Sequence, residues 1–136
     1  MTNQNSTANM GIPTPVKIFT WILICAGCFF FYVYTFAPSM SFPNANLDTY
    51  SAKMGFASTG VRILGSVLAL LISVLANNPK WLFITLISRI FIELGDVVVG
   101  LNLDGVTANT ASLIVLAALE IWAVSRLWKV IKTDSN

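Results

Sequence analysis

The sequence predicts an all-α integral membrane protein that folds as a bundle of four transmembrane helices. Two properties of its composition point to a membrane: 56% of the 136 residues are hydrophobic and only 10% are charged, with a mean hydropathy of +0.76. Soluble domains carry about 25% charged residues, so this chain has too few polar side chains to cover a water-soluble fold. The third observation is a set of four apolar segments, each close to the ~20 residues that a helix needs to cross a bilayer.

The four segments form one domain, residues 16–131, and turn-forming residues mark their limits. Pro13 and Pro15 precede the first helix, the sequence NNPK predicts a tight turn between the second and third, and NLDG leads into the fourth. Residues 1–15 and 132–136 are predicted as terminal tails, and the polar start of the chain as disordered. The predicted helices span about residues 16–37, 55–76, 81–100 and 107–130.

The distribution of lysines predicts the orientation of the bundle. Four crossings bring both termini to one side, and Lys17, Lys80, Lys129 and Lys132 lie on that side. Lys53 is the only positive residue in the other two loops. Because positive residues are retained on the cytoplasmic side, we expect both termini in the cytoplasm of a multi-pass protein, with the bacterial inner membrane as its location.

The third predicted helix contains three ionisable residues, Arg89, Glu93 and Asp96. Positions i, i+4 and i+7 share one face of a helix, so these side chains form a single polar stripe. A central charge that faces lipid costs about 2.5–3.5 kcal/mol. The stripe is therefore predicted to face other helices.

Depth in the membrane predicts the partners of these charges. Arg62 and Glu93 each lie seven residues from the same predicted boundary, and Asp96 lies one turn further out. Arg89 and Glu120 lie at a common depth, eight and nine residues from the opposite boundary. We expect Arg62 to pair with Glu93 and Asp96, and Arg89 to pair with Glu120. Two arginines against three carboxylates leave one acid in excess, which is expected to be protonated or to face a water-filled cavity.

Small residues on the second helix predict where it packs most closely. Small side chains let helices approach each other in lipid, and we expect this face to meet the third helix. Its members are Gly55, Ser58, Gly65, Ala69 and Ala76, around Arg62.

The charged cluster indicates a binding site, because ionisable residues inside a membrane are functional by default. We expect a cavity between the second, third and fourth helices in which all five cluster residues bind a small amphipathic or lipid-soluble molecule. The aromatic run FFFYVYTF of the first helix is expected at the membrane interface, with the alternative that Tyr32 and Tyr34 cap this cavity. The excess acid makes catalysis of a proton transfer conceivable, with Glu93, Asp96 and Glu120 as candidates. Three other interpretations stay open: a small proton-coupled transporter, an accessory subunit of a larger membrane complex, and a network that only locks the helices together.

Several other classes of site and partner are disfavoured. The chain has no histidine, which removes the commonest metal and haem ligand, and we predict no metal site and no cofactor. A net charge of +2 without a basic run gives no reason to expect nucleic acid. Cys25 and Cys28 form a C-x-x-C pattern inside the first helix, where a thiolate is disfavoured, so redox chemistry is not expected. The expected partners are membrane lipid, the ligand, and a second copy or a larger membrane complex.

The same residues carry a resemblance to a known group of proteins. The chain resembles the DoxX-like small four-helix membrane proteins over about residues 17–130, through its helix count and a spaced set of residues on the last three helices. This resemblance implies a four-helix membrane domain, and some proteins of this kind look like subunits of quinone-linked oxidoreductases, which implies a lipid-soluble partner. The residues that carry it are Arg62 with Gly65, Arg89 with Glu93, Gly95 with Asp96, and Glu120.

Overall fold

The computed structural model describes residues 11–40, 47–103 and 105–133, and these ranges are almost entirely helical. The all-α prediction is confirmed. Of the tails predicted at residues 1–15 and 132–136, residues 1–10, with their predicted disorder, and residues 134–136 lie outside the described residues. Residues 14–15 and 132–133 belong to helices, so both tails are shorter than predicted. Within the described ranges the chain forms four long helices, α1 (Thr14–Phe36), α2 (Tyr50–Leu75), α3 (Pro79–Leu103) and α4 (Ala108–Thr133), and a short 3-10 turn at Pro38–Met40.

The helices are longer than their apolar segments. The largest shift of a single helix end is at α2, which begins at Tyr50 rather than at residue 55. Thr49 caps this end, since its Oγ1 accepts a hydrogen bond of 3.3 Å from the amide of Ala52. The predicted start is based on hydropathy and therefore coincides with the start of the apolar stretch. The helix itself begins one polar turn earlier, and this turn contains Lys53.

Three of the described helices, α1, α2 and α4, are long and apolar enough to cross a membrane. Helix α3 has 25 residues, but Arg89, Glu93 and Asp96 interrupt its apolar sequence. Large apolar side chains on all four helices are exposed on the outside of the bundle, among them Phe36, Leu75, Phe91 and Ile121. Together these features indicate an integral membrane protein whose outer surface contacts lipid.

The two halves of the bundle differ in how they are filled. One half, the turn end, contains the start of α1, the end of α2, the start of α3 and the end of α4. The centre of the turn end is a continuous apolar core. The polar stripe of α3, with Arg89, Glu93 and Asp96, lies towards the opposite half, which we call the loop end. The core includes Val16, Leu70, Val74, Leu82, Leu86, Ala123 and Leu127.

The turn end is fixed by the two asparagines that connect α2 to α3. Asn77 has a positive φ of 47°, and its Oδ1 accepts hydrogen bonds of 3.3 Å from the Ile12 amide and from Lys17 Nζ. Asn78 caps α3 through its Oδ1, which accepts from the amides of Lys80 and Trp81 at 3.0 and 3.2 Å. The tight turn predicted from NNPK is confirmed.

Helix α2 packs most extensively on α1, and α3 on α4, with a smaller contact between α2 and α3. A Cβ atom added at Gly60 would meet Thr35, and one added at Gly27 would meet Val67, so both glycines permit the close approach of α1 and α2. Gly55 and Gly65 would have no neighbour within 4 Å of such an atom. The tight packing of the small-residue face of α2 on α3 is therefore a wrong prediction at these positions.

Candidate functional site

Arg89 is the centre of the buried charge cluster. Its Nε donates to Glu120 Oε1 at 2.7 Å, and its Nη2 donates to Glu93 Oε1 at 3.0 Å. Its Nη1 donates to Ser66 Oγ at 2.7 Å. One guanidinium thus joins α2, α3 and α4, and the predicted pairing of Arg89 with Glu120 is confirmed.

Arg62 forms a second ion pair, with Asp96. Its Nη2 lies 3.3 Å from Asp96 Oδ1 and 3.4 Å from Oδ2, which confirms this predicted pair. The predicted pairing of Arg62 with Glu93 is wrong, because Glu93 pairs with Arg89 instead. Arg89 and Glu93 are four residues apart on one helix, where side chains are direct neighbours, and depth alone does not take this proximity into account.

The two ion pairs differ strongly in exposure. The side chains of Arg89 and Glu93 are 14% and 12% exposed and that of Glu120 is 0% exposed, whereas Arg62 and Asp96 are 50% and 41% exposed. The Oε2 atom of Glu120 is buried and makes no hydrogen bond to the described part of the protein. Arg89 therefore supports a buried network, while the Arg62–Asp96 pair is open to its surroundings.

A cavity of about 370 Å³ lies beside these pairs, in the loop end of the bundle. All four helices contribute to its wall, whereas the sequence predicts a cavity between α2, α3 and α4 only. Arg62, Arg89, Glu93 and Asp96 line it. Glu120 does not, because it lies behind Arg89, so of the three catalytic candidates only Glu93 and Asp96 face the cavity.

Helix α1 supplies the wall that the sequence prediction missed. Tyr34 lines the cavity and Tyr32 does not. Phe30 and Tyr34 are spaced four residues apart and share a face, but they lie in an aromatic run that is typical of a membrane interface. The spacing does not single them out, because Tyr32 and Phe36 are also four residues apart and do not line the cavity.

Short polar side chains complete the cavity and were also missed. Thr59, Arg62 and Ser66 follow one face of α2 at spacings of three and four residues, and Asn109 and Ser112 do the same on α4. Single hydroxyl groups are common in apolar helices, and only their alignment with Arg62 singles these out. The remaining wall is apolar and consists of Leu23, Ala26, Gly27, Ile63, Ile92, Leu113 and Leu116.

The cysteine pair lies outside this site. Cys25 and Cys28 are free thiols, exposed on α1, and neither lines the cavity. Ala26, which lies between the two cysteines in the sequence, does line the cavity. At this depth, α1 therefore has neighbouring residues on the cavity wall and on its outer surface.

The fold and the cluster define an α-helical integral membrane protein with a buried arginine–glutamate ion pair. No protein-family model, characterised protein or solved structure matches this chain. The resemblance to the DoxX-like proteins therefore stays a prediction, and the function has to be argued from the geometry of the cavity.

Proposed function

We propose that the protein binds a small amphipathic or lipid-soluble molecule in the cavity of its loop end. The polar group of this ligand contacts Arg62 and Asp96, and its apolar part packs against Leu23, Ile63 and Leu113. One observation carries the proposal: a half-exposed ion pair opens onto a cavity of about 370 Å³ whose wall is otherwise largely apolar. Ligand sites typically combine such a wall with a few polar groups in a volume of about 300–1,000 Å³.

The Arg62–Asp96 pair is suited to ligand recognition because it is incompletely satisfied. Arg62 uses only Nη2 in the pair, and a guanidinium has five N–H donors. The carboxylate of Asp96 likewise has capacity to accept hydrogen bonds in addition to those from Arg62. A ligand that supplies a donor or an acceptor here can therefore form hydrogen bonds that the ion pair leaves open.

Four membrane crossings, with both termini in the cytoplasm, are part of the proposal. Helix α3 is 25 residues long, packs against both α2 and α4, and has an ion-pair partner for each of its three central charges. Lys17, Lys80 and Lys129 lie at the turn end of the bundle and Lys53 at the loop end. The positive-inside rule then favours a cytoplasmic turn end.

Native mass spectrometry of the protein in mild detergent tests the proposal. The wild type is expected to retain a small molecule, and Asp96→Asn is expected to lose it because the polar contact is weakened. Asp48→Asn is the matched control, since Asp48 is an exposed carboxylate outside the cavity. Wild-type protein without any bound small molecule would contradict the proposal.

Two further outcomes would favour the alternative functions. Proton-coupled transport by the purified protein in liposomes would favour a transporter. Stoichiometric co-purification of a larger membrane protein, with no small molecule retained, would favour an accessory subunit.

A further inference from the structure

We propose that the polar group of the ligand is a cation, such as an organic ammonium, bound beside Glu93 and Asp96 and in contact with the aromatic wall of α1. This inference rests on the proposed function and specifies the chemical class of the ligand.

The charge cluster as a whole carries a formal negative surplus, although Glu120 lies behind Arg89 and not on the cavity wall. Arg62 pairs with one carboxylate, that of Asp96, whereas Arg89 is shared between Glu93 and Glu120. With every group ionised, the cluster has a formal charge of −1, from two arginines and three carboxylates. Glu93 is the carboxylate of the shared set that lines the cavity, and because Arg89 also pairs with Glu120, Glu93 is only partly compensated.

Arg89 has little capacity to compensate for this surplus. Its Nε, Nη1 and Nη2 are all engaged, with Glu120, Ser66 and Glu93. Glu120 keeps one buried oxygen without a protein partner in the described residues. Three of the five N–H donors of Arg89 are therefore used within the cluster, and Glu93 receives a single hydrogen bond from it.

Other positive side chains of the described residues are too far along the helices to compensate. Lys53 precedes Arg62 by nine residues, or about 13 Å at a helical rise of ~1.5 Å per residue. Arg126 follows Glu120 by six residues, about 9 Å, and lies over the ring of Trp122 at 6.0 Å from its centroid.

The opposite wall of the cavity is aromatic. Phe30 and Tyr34 of α1 line the same space as Glu93 and Asp96. The faces of aromatic rings attract cations, and most strongly where water is excluded. An organic cation is therefore favoured twice, by the carboxylates of α3 and by the rings of α1.

A cation also fits better than the other charge types. An anion would make the formal charge of the cluster more negative, from −1 to −2, and a neutral molecule would leave it unchanged. A proton could balance the charge but would leave the apolar cavity unfilled. An apolar cation balances the charge and buries apolar surface at the same time.

The test compares three small aromatic compounds by calorimetric titration of the protein in lipid nanodiscs, with empty nanodiscs subtracted. Phenyltrimethylammonium is the cation, tert-butylbenzene is its uncharged isostere, and benzenesulfonate is the anion. We expect saturable binding of the cation at least about tenfold tighter than that of the isostere, since one uncompensated charge at close range is worth more than this. No binding of the anion is expected.

Two variants connect the charge preference to the cluster. Glu93→Gln is expected to weaken binding of the cation by about tenfold and to leave binding of the isostere unchanged. Asp48→Asn is the matched control, because it removes an exposed carboxylate just before α2, outside the cavity. Equal loss in both variants would contradict a role of Glu93.

The result with the wild type separates the inference from the proposed function. Binding of tert-butylbenzene or benzenesulfonate as tight as that of phenyltrimethylammonium overturns the cation inference and leaves the binding cavity supported. Absence of binding for all three compounds overturns the inference, and together with wild-type protein that retains no small molecule it overturns the proposed function as well.

Discussion

Replacement of Arg89 by methionine is expected to be the most destabilising change in the charge cluster. The guanidinium is the ion-pair partner of both Glu93 and Glu120, whose side chains are 12% and 0% exposed. Arg89→Met would leave two buried carboxylates without a cation. Removal of one partner from a buried ion pair costs about 3–5 kcal/mol, and we expect a loss in the free energy of unfolding of at least this size.

The matched comparison is Arg62→Met. Arg62 and Asp96 are 50% and 41% exposed, so their pair resembles a solvated one, which contributes about 0–1 kcal/mol. Both variants remove one arginine from one ion-pair set, and burial is what distinguishes them. The expected difference between their unfolding free energies is therefore about 2–5 kcal/mol.

Reversible unfolding in mixed micelles of increasing SDS content measures this difference, followed by tryptophan fluorescence and helical circular dichroism. A loss for Arg89→Met no larger than for Arg62→Met would refute the assignment of Arg89 as the buried centre.

Glu120→Gln provides an internal check. Its amide oxygen can still accept from Arg89 Nε, and two arginines then face two carboxylates, so we expect a cost below about 1.5 kcal/mol.

Two further predictions concern packing and the turn, and the same unfolding assay checks both. Gly27→Ala is expected to cost about 1–3 kcal/mol, because the new Cβ would meet buried Val67, whereas Gly65→Ala, with no neighbour within 4 Å, should be neutral or gain up to about 1 kcal/mol. Asn77→Ala is expected to lose about 1–2 kcal/mol with the two hydrogen bonds of its Oδ1, and Asn77→Gly less, because φ is 47° there. Equal effects within either pair would contradict the respective reason.

The sequence was sufficient to predict the helices and part of the cluster. The lengths of the apolar segments predict the helices, because a helix that crosses a bilayer needs about 20 mainly apolar residues. Matching of depth correctly paired Arg89 with Glu120, since antiparallel neighbours bring equal depths together. Asp96, one turn beyond the depth of Arg62, was correctly expected to share that guanidinium. It failed for Glu93 because a partner on the same helix was closer than one at the same depth on another.

The cavity wall on α1 could not be predicted in the same way. Helix α1 contains no charged residue between Ile18 and Phe36, so no ion pair could be predicted for it. In the sequence, Phe30 and Tyr34 cannot be distinguished from aromatic residues that face lipid. Which helices pack closely was also hidden, because Gly27 and Gly65 look alike in sequence and only their neighbours differ. Both features depend on how the helices are rotated about their axes.

Labelling of α1 with a water-soluble, membrane-impermeant methanethiosulfonate in lipid vesicles tests the central claim most directly, namely that an accessible cavity extends into the bundle beside the charge cluster. The native Cys25 and Cys28 are exposed outside the cavity, and Ala26, between them in the sequence, lines it. Thiols react as thiolates, which form in a polar and accessible environment. The three positions therefore compare lipid and cavity at one depth.

The variant carries Ala26→Cys in a background of Cys25→Ala and Cys28→Ala, and the wild-type protein is the control. Rapid modification of the variant together with little modification of the wild type is the predicted result. An unreactive variant, or native cysteines that react as fast as the new one, would contradict a cavity that opens to water between α1 and the Arg62–Asp96 pair.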